Sequence, residues 1–153
     1  MAGKKQTHKG NYVPKNPEKY IGTNTANITY RSSWEYSVMT YFDHHPNVIA
    51  WSSECVSIPY RNPLTGRQTV YVPDFLVVYE ANGKKQAEMI EVKPAKEVPG
   101  LLKEGAKKLT KRDRLAQILN AAKWQAAAAF CAKRNIRFRV ITEQDLFVFK
   151  RKK

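Results

Sequence analysis

The sequence contains few cysteines, and several common functional motifs are missing from it. Its two cysteines, Cys55 and Cys131, are far apart and form no four-ligand zinc pattern. We expect both to be reduced, packed thiols in a reducing compartment. No apolar run approaches the roughly 18 residues of a membrane span, and no signal-peptide pattern opens the chain. With neither feature, we expect an intracellular soluble protein. A Gly-rich phosphate loop, a Ser-His-Asp arrangement and an internal repeat are also missing, so we expect none of the chemistries that depend on them.

Acidic residues are scarce relative to basic ones. The chain has 27 Lys and Arg against 13 Asp and Glu, which gives a net charge of +14 over 153 residues. An excess of this size favours a polyanionic partner, above all nucleic acid, over a surface that is basic only for solubility. Charge alone does not separate DNA from RNA. The length suits one domain with a real core.

The most informative stretch runs from Val72 to Lys93, where two apolar, β-branched runs flank Asn82 and Gly83. Asn-Gly is the preferred sequence for a two-residue type I′ turn, so this stretch predicts a β-hairpin. The turn pairs Ala81 with Lys84, and the numbers of any two facing residues then sum to 165.

This register brings three charged residues together at the far end of the hairpin. Asp74 faces Glu91, and Lys93 projects from the same side because side chains alternate along a strand. The neighbours on this face are mostly apolar, so the face is expected to be buried. Buried paired carboxylates need a compensating cation. We therefore favour a site for a hard divalent metal ion over a solvated charge cluster.

The region before the hairpin predicts an arm, a helix and a strand. Residues 1–27 read as a basic, extended N-terminal arm that a partner could order, and residues 28–153 as one domain. A helix is expected to begin after Ser32, whose S-x-x-E spacing matches a capping box. Glu35 then has two interpretations that periodicity does not separate: a capping carboxylate, or a third acid of the metal site. Residues 48–59 read as one strand.

The region after the hairpin predicts a mobile, substrate-contacting loop over residues 94–109 and a long helix from Lys111 to about Arg134. Cations in the first turn of that helix oppose its dipole, which suggests contact with phosphate, although solvation explains them too. Lys123 is a less favoured candidate to face the acidic site. The predicted DNA-binding residues are Lys96, Lys103, Lys107, Lys108, Lys111, Arg112, Arg114 and Lys123.

Pro73-Asp74 followed by Glu91-Val92-Lys93 resembles the motif of the PD-(D/E)XK nucleases, the restriction-endonuclease-like superfamily. From Lys15 onward the chain also resembles the head-completion nucleases of myovirus-type tailed phages, which are related to TnsA-type transposon endonucleases. The segments that carry this resemblance are R-S-S-W-E (31–35), N-V-I-A-W-S-S-E (47–54), I-P-Y (58–60), E-V-K-P (91–94), A-K-W (122–124) and I-T-E (141–143).

The resemblance implies an α/β fold with a restriction-endonuclease-like core, in which helices flank a central mixed β-sheet. It also implies a DNA endonuclease in which Asp74, Glu91 and the carbonyl of Val92 hold one or two Mg²⁺ ions, for which Mn²⁺ can substitute. Lys93 would then position the attacking water, and the interpretation of Glu35 shifts toward catalysis.

The implied partners are double-stranded DNA and phage head, portal or neck proteins, with no membrane. The implied location is the host cytoplasm, with association with the virion as an alternative. Three other interpretations remain open at this point. They are a non-catalytic DNA-binding head protein, a transposon- or repair-type endonuclease on the same fold, and a ribosome-associated RNA binder.

Overall fold

The computed structural model describes residues 9–22, 25–102 and 109–146. Within these ranges the chain forms eight strands and two α-helices. They are β1 (Gly10–Tyr12), β2 (Ile28–Tyr30), α1 (Ser33–His44), β3 (Val48–Ser53), β4 (Ile58–Arg61), β5 (Gln68–Tyr71), β6 (Phe75–Ala81), β7 (Lys84–Val92), α2 (Lys111–Ala132) and β8 (Ile136–Ile141).

The central sheet has four strands in the order β3-β6-β7-β8. The β3–β6 and β6–β7 pairs are antiparallel, whereas β7 and β8 are parallel. The last pair is parallel because α2 carries the chain back across the sheet before β8 begins. The sheet is therefore mixed, as predicted. Two small antiparallel pairs, β1–β2 and β4–β5, lie outside it.

The two helices pack on opposite faces of this sheet. On the α1 face, Phe42 joins Trp51, Phe75 and Val92 in the larger hydrophobic core. On the other face, the alanine-rich α2 contacts β4 and β8, and Ala127 lies in a second core. The site described below lies on the α2 face. Among the described residues, no helix has the length and apolar character needed to cross a membrane.

The last turn of α1 fixes the N-terminal segment to the domain. Asp43 is fully buried, and its carboxylate accepts hydrogen bonds from the Tyr12 hydroxyl (2.7 Å) and from the main-chain N–H groups of Lys15 (2.7 Å) and Asn16 (2.9 Å). Burial alone would raise the pKa of Asp43, but these three donors outweigh it and lower the pKa. Residues 9–22 thus pack on the domain itself, and Tyr12 anchors this part of the arm.

The strand predicted over residues 48–59 is wrong as a single element. It is two strands, β3 and β4, which belong to different sheets. Glu54 has φ of 49°, in the left-handed region, so the chain leaves the sheet there. Trp51 and Ile58 are both buried, as expected.

The segment after β7 was expected to be a mobile loop over residues 94–109, and this is wrong for its first part. Residues Ala95–Glu97 form a 3-10 turn that three side chains hold. Gln117 and Asn120 of α2 donate to main-chain carbonyls of this turn at 2.8 and 3.0 Å. Glu143 accepts from the main-chain N–H of Ala95 at 2.7 Å. Residues 103–108 lie outside the described residues.

Candidate active site

The hairpin that carries the site has the predicted register. Its pairs run from Ala81 opposite Lys84 to Phe75 opposite Ile90, so each pair sums to 165. Both residues of the Asn-Gly turn have positive φ, of 53° and 75°, as a type I′ turn requires. Continuing this register by one residue places Asp74 opposite Glu91. Both lie on the α2 face because side chains alternate along each strand.

Asp74 lies just before β6 and caps the end of β7. Its Oδ2 accepts a hydrogen bond from the main-chain N–H of Val92 at 2.8 Å. The N–H and C=O of one residue point toward the same neighbouring strand in an antiparallel ladder, so the Val92 carbonyl is turned to the same side. Pro73 stands opposite Val92 in the register and has no N–H to donate. The proline before Asp74 therefore leaves this carbonyl without a ladder donor beside the carboxylate.

Glu91 is buried, with 5% of its surface exposed, and both carboxylate oxygens have partners. The Tyr71 hydroxyl donates to Oε1 at 2.7 Å, and Lys93 Nζ lies 3.6 Å from Oε2. Burial, and then the charge of Glu91, raise the pKa of Tyr71, so the hydroxyl keeps its proton and acts as a donor. These two contacts fix the orientation of the carboxylate.

Lys123 of α2 faces this site. Its ammonium lies 5.7 Å from the centroid of the Tyr71 ring, within the range of a cation–π contact. Burial, and then the like charge of Lys93, lower the pKa of Lys123, while Glu91 and Asp74 oppose that change. The side chain is thus within the electrostatic reach of all three hairpin residues.

Sequence reasoning did not identify Tyr71. It lies in β5, which pairs with β4 in a sheet separate from the hairpin. Its role depends on a contact with Glu91 across 20 residues, which local spacing does not reveal. A tyrosine two residues before Pro73-Asp74 was the available signal.

Glu35 adopts the capping arrangement in this structure. The Ser32 hydroxyl donates to Oε2 at 3.2 Å, and the main-chain N–H of Arg31 donates to Oε1 at 3.3 Å. Arg31 also pairs with Glu54 at 3.2 Å, and the Glu54 N–H donates to the main-chain oxygen of Asp74 at 2.9 Å. Glu35 therefore lies at the same end of the sheet as the hairpin acids, with its carboxylate held at the start of α1.

The oxygen atoms of this site suit a hard divalent ion. Asp74 and Glu91 offer carboxylates, and Val92 offers the carbonyl that Pro73 leaves without a donor; Mg²⁺ and Mn²⁺ prefer such ligands. Over the described ranges, no three His, Cys, Asp or Glu side chains are close enough to hold one ion together. Glu35 is thus not grouped with Asp74 and Glu91 here. The donor set is two carboxylates and a carbonyl, and a Mg²⁺ ion bound there would keep several waters.

The residues predicted to bind DNA fall into three groups. Three of them lie outside the described residues: Lys103, Lys107 and Lys108. Three are exposed on the first turn of α2: Lys111, Arg112 and Arg114. The other two are engaged within the fold, since Lys96 Nζ lies 3.8 Å from an Asp113 carboxylate oxygen and Lys123 lies over Tyr71.

Comparison with known proteins gives two matches. The family model of the TnsA-like endonuclease N-terminal domain matches residues 45–143, which include every hairpin residue of the site and Lys123 but not Glu35. The chain is also 37% identical over 144 residues to the head completion nuclease of Enterobacteria phage T4. That alignment covers 91% of this chain and 93% of the phage protein.

Proposed function

Because the chain belongs to the TnsA-like endonuclease N-terminal family, we propose that it is a metal-dependent endonuclease that hydrolyses phosphodiester bonds of duplex DNA. The observation that carries this proposal is the hairpin register. It sets Asp74 opposite Glu91 on one face, with Lys93 Nζ 3.6 Å from Glu91. The fold is restriction-endonuclease-like, as the family and the mixed sheet agree.

The ion-binding residues are Asp74, Glu91 and the carbonyl of Val92. A bound Mg²⁺ ion supplies positive charge to the reacting phosphate and makes water a stronger acid. Tyr71 keeps the Glu91 carboxylate oriented, since it donates to Oε1 at 2.7 Å. Glu35 lies at the same end of the sheet and orders water there.

Lys93 is the residue that acts on the attacking water. Its ammonium is partly exposed beside Glu91, so it can hold the water in line with the phosphorus and stabilise the negative charge that develops on the phosphate. The water oxygen then bonds to phosphorus and gives up one proton to solvent, while the P–O bond to the leaving sugar oxygen breaks and that oxygen takes up one proton from solvent.

The net charge of +14 favours a polyanionic substrate. The exposed cations on the first turn of α2 would contact the DNA backbone. The T4 relative is named for head completion, and this supports a role in which the chain trims DNA ends late in phage head assembly. The partners would then be head, portal or neck proteins, in the host cytoplasm.

The test is a plasmid-nicking assay in Mg²⁺, with EDTA and Mn²⁺ as comparison conditions. We expect nicking in both metals and none in EDTA. Glu91→Gln keeps an acceptor for Tyr71 but removes the charge, and we expect it to lower the rate by about 10²-fold or more. Glu80→Gln is the matched control, because Glu80 is exposed near the tip of the same hairpin.

Three results would count against the proposal. Nicking that continues unchanged in EDTA would exclude a metal-dependent reaction. Equal rates for Glu91→Gln and Glu80→Gln would show that the hairpin carboxylate is not part of the site. A protein that binds duplex DNA without cleaving it under any metal would instead be a structural head protein.

A further inference from the structure

Lys123 is a half-buried cation that lies over an aromatic ring. Its ammonium lies over Tyr71 at 5.7 Å from the ring centroid, and not against a carboxylate of the described residues. A lysine needed only to fill space could be replaced by an apolar residue, since the second core beside it is built from alanine and aromatic side chains. Burial and the like charge of Lys93 lower the pKa of Lys123, and the carboxylates of Glu91, Glu97 and Asp74 act in the opposite direction.

Tyr71 connects this cation to the reacting end of the hairpin. The ring lies under the Lys123 ammonium, while its hydroxyl donates to Glu91 Oε1 at 2.7 Å. Lys93 approaches the other oxygen, Oε2, at 3.6 Å. Lys93, at the end of β7, thus approaches Glu91 directly, whereas Lys123 of α2 is connected to Glu91 through Tyr71.

Resting on the proposed function, we infer that Lys123 is a second catalytic lysine of the site, which binds a non-bridging oxygen of the scissile phosphate opposite Lys93. The phosphate would add a further negative charge to the one that Glu91 already places near both cations. Tyr71 is the positioning residue, because its ring contacts the Lys123 ammonium and its hydroxyl orients Glu91. The A-K-W segment of α2 then contributes to the reaction and not only to packing.

The experiment compares three variants on a duplex substrate under steady-state conditions. Lys123→Met keeps a straight side chain over Tyr71 and removes the charge, whereas Lys123→Arg keeps the charge and the ring contact. Lys133→Met removes the same charge from the C-terminal end of α2 and serves as the control. Thermal unfolding of each variant shows that it is folded.

A group that contacts the phosphate mainly in the transition state lowers kcat more than it raises KM. We expect Lys123→Met to lower kcat by about 10-fold or more with KM within about threefold. Lys123→Arg should recover most of that loss, and Lys133→Met should leave both constants within about twofold. If Lys123→Met keeps the wild-type kcat, or raises only KM, Lys123 is not a catalytic residue. If kcat of Lys123→Arg is as low as kcat of Lys123→Met, a role based on the charge of Lys123 is also wrong.

Binding gives a second readout that does not need cleavage. In a Glu91→Gln background, Lys123→Met should reduce the slope of log affinity against log salt by about one, because one phosphate contact is lost. Lys133→Met should not change the slope. If the parent protein never cleaves but the slope still changes, the proposed function fails while the phosphate contact stands. If the parent cleaves and neither kcat nor the slope changes, the inference about Lys123 fails alone.

Discussion

Asp43 offers the sharpest test of how the N-terminal segment is held. Its buried carboxylate accepts three hydrogen bonds, from the hydroxyl of Tyr12 and from two main-chain N–H groups. Asp43→Asn preserves the volume but removes the charge, and it turns an amide donor toward a group that is itself a donor. The structure therefore predicts a loss of stability without a change in the fold.

The magnitude follows from the three bonds. A hydrogen bond to a charged group contributes about 1.5–3 kcal/mol, and a neutral one about 0.5–1.5 kcal/mol. Losing roughly 1 kcal/mol at each of three donors gives a decrease of about 3 kcal/mol in the free energy of unfolding. This is a large share of the roughly 5–15 kcal/mol that holds a typical domain together. Tyr12→Phe removes one donor and should cost about 1–2 kcal/mol.

The effect should also depend on pH in a definite direction. The pKa of Asp43 is lowered in the folded protein, so its contribution is fully present above the unfolded pKa and is lost as pH falls through the folded pKa. Urea unfolding at about pH 7 should show the full difference between wild type and Asp43→Asn, and the two curves should converge as pH falls through the lowered pKa of Asp43. A difference under about 1 kcal/mol at neutral pH, or one that grows in acid, would refute the reasoning.

Three further predictions concern the hairpin. Lys93→Arg and Lys93→Ala should each lower the cleavage rate by about 10²-fold or more, because the planar guanidinium cannot hold the attacking water as the compact ammonium does and alanine has no charge; near-normal cleavage by Lys93→Arg would show that Lys93 supplies only charge. Glu91→Ala should still bind duplex DNA in a filter or anisotropy assay, with affinity that falls steeply as salt rises. An affinity that does not change with salt would show that the positive charge of the chain does not serve DNA binding. Gly83→Ala should destabilise the protein by about 1 kcal/mol, since its φ of 75° disfavours a side chain, yet leave the cleavage rate unchanged; a rate loss in the folded variant would show that the turn acts on the site.

The parts of the fold that short-range signals specify were predictable. The Asn-Gly turn fixed a register that the structure confirms over seven pairs. Both α-helices begin where the sequence predicts. The side chains of Ser32 and Thr110 cap them, and each accepts a hydrogen bond from the main-chain N–H three residues later. Capping and turn formation depend on residues within a few positions of each other, so they can be read from the sequence.

The parts that depend on distant contacts could not be predicted. The N-terminal segment packs on the domain because Tyr12 meets Asp43 across 31 residues. The break after β3 depends on the left-handed conformation of Glu54, a residue type that gives no sign of it. For the site, the sequence predicted the three hairpin residues, but the placement of Tyr71 and Lys123 follows from how β5 and α2 pack together.

The length of the hairpin places its turn far from the acidic residues. Seven residue steps divide Asp74 from Ala81, and at about 3.4 Å per residue they span roughly 24 Å. The tip is exposed on both strands and lies at the opposite end from the acidic residues. A fluorophore attached at this exposed tip, for example on Lys84, would therefore report on the protein far from the acidic residues.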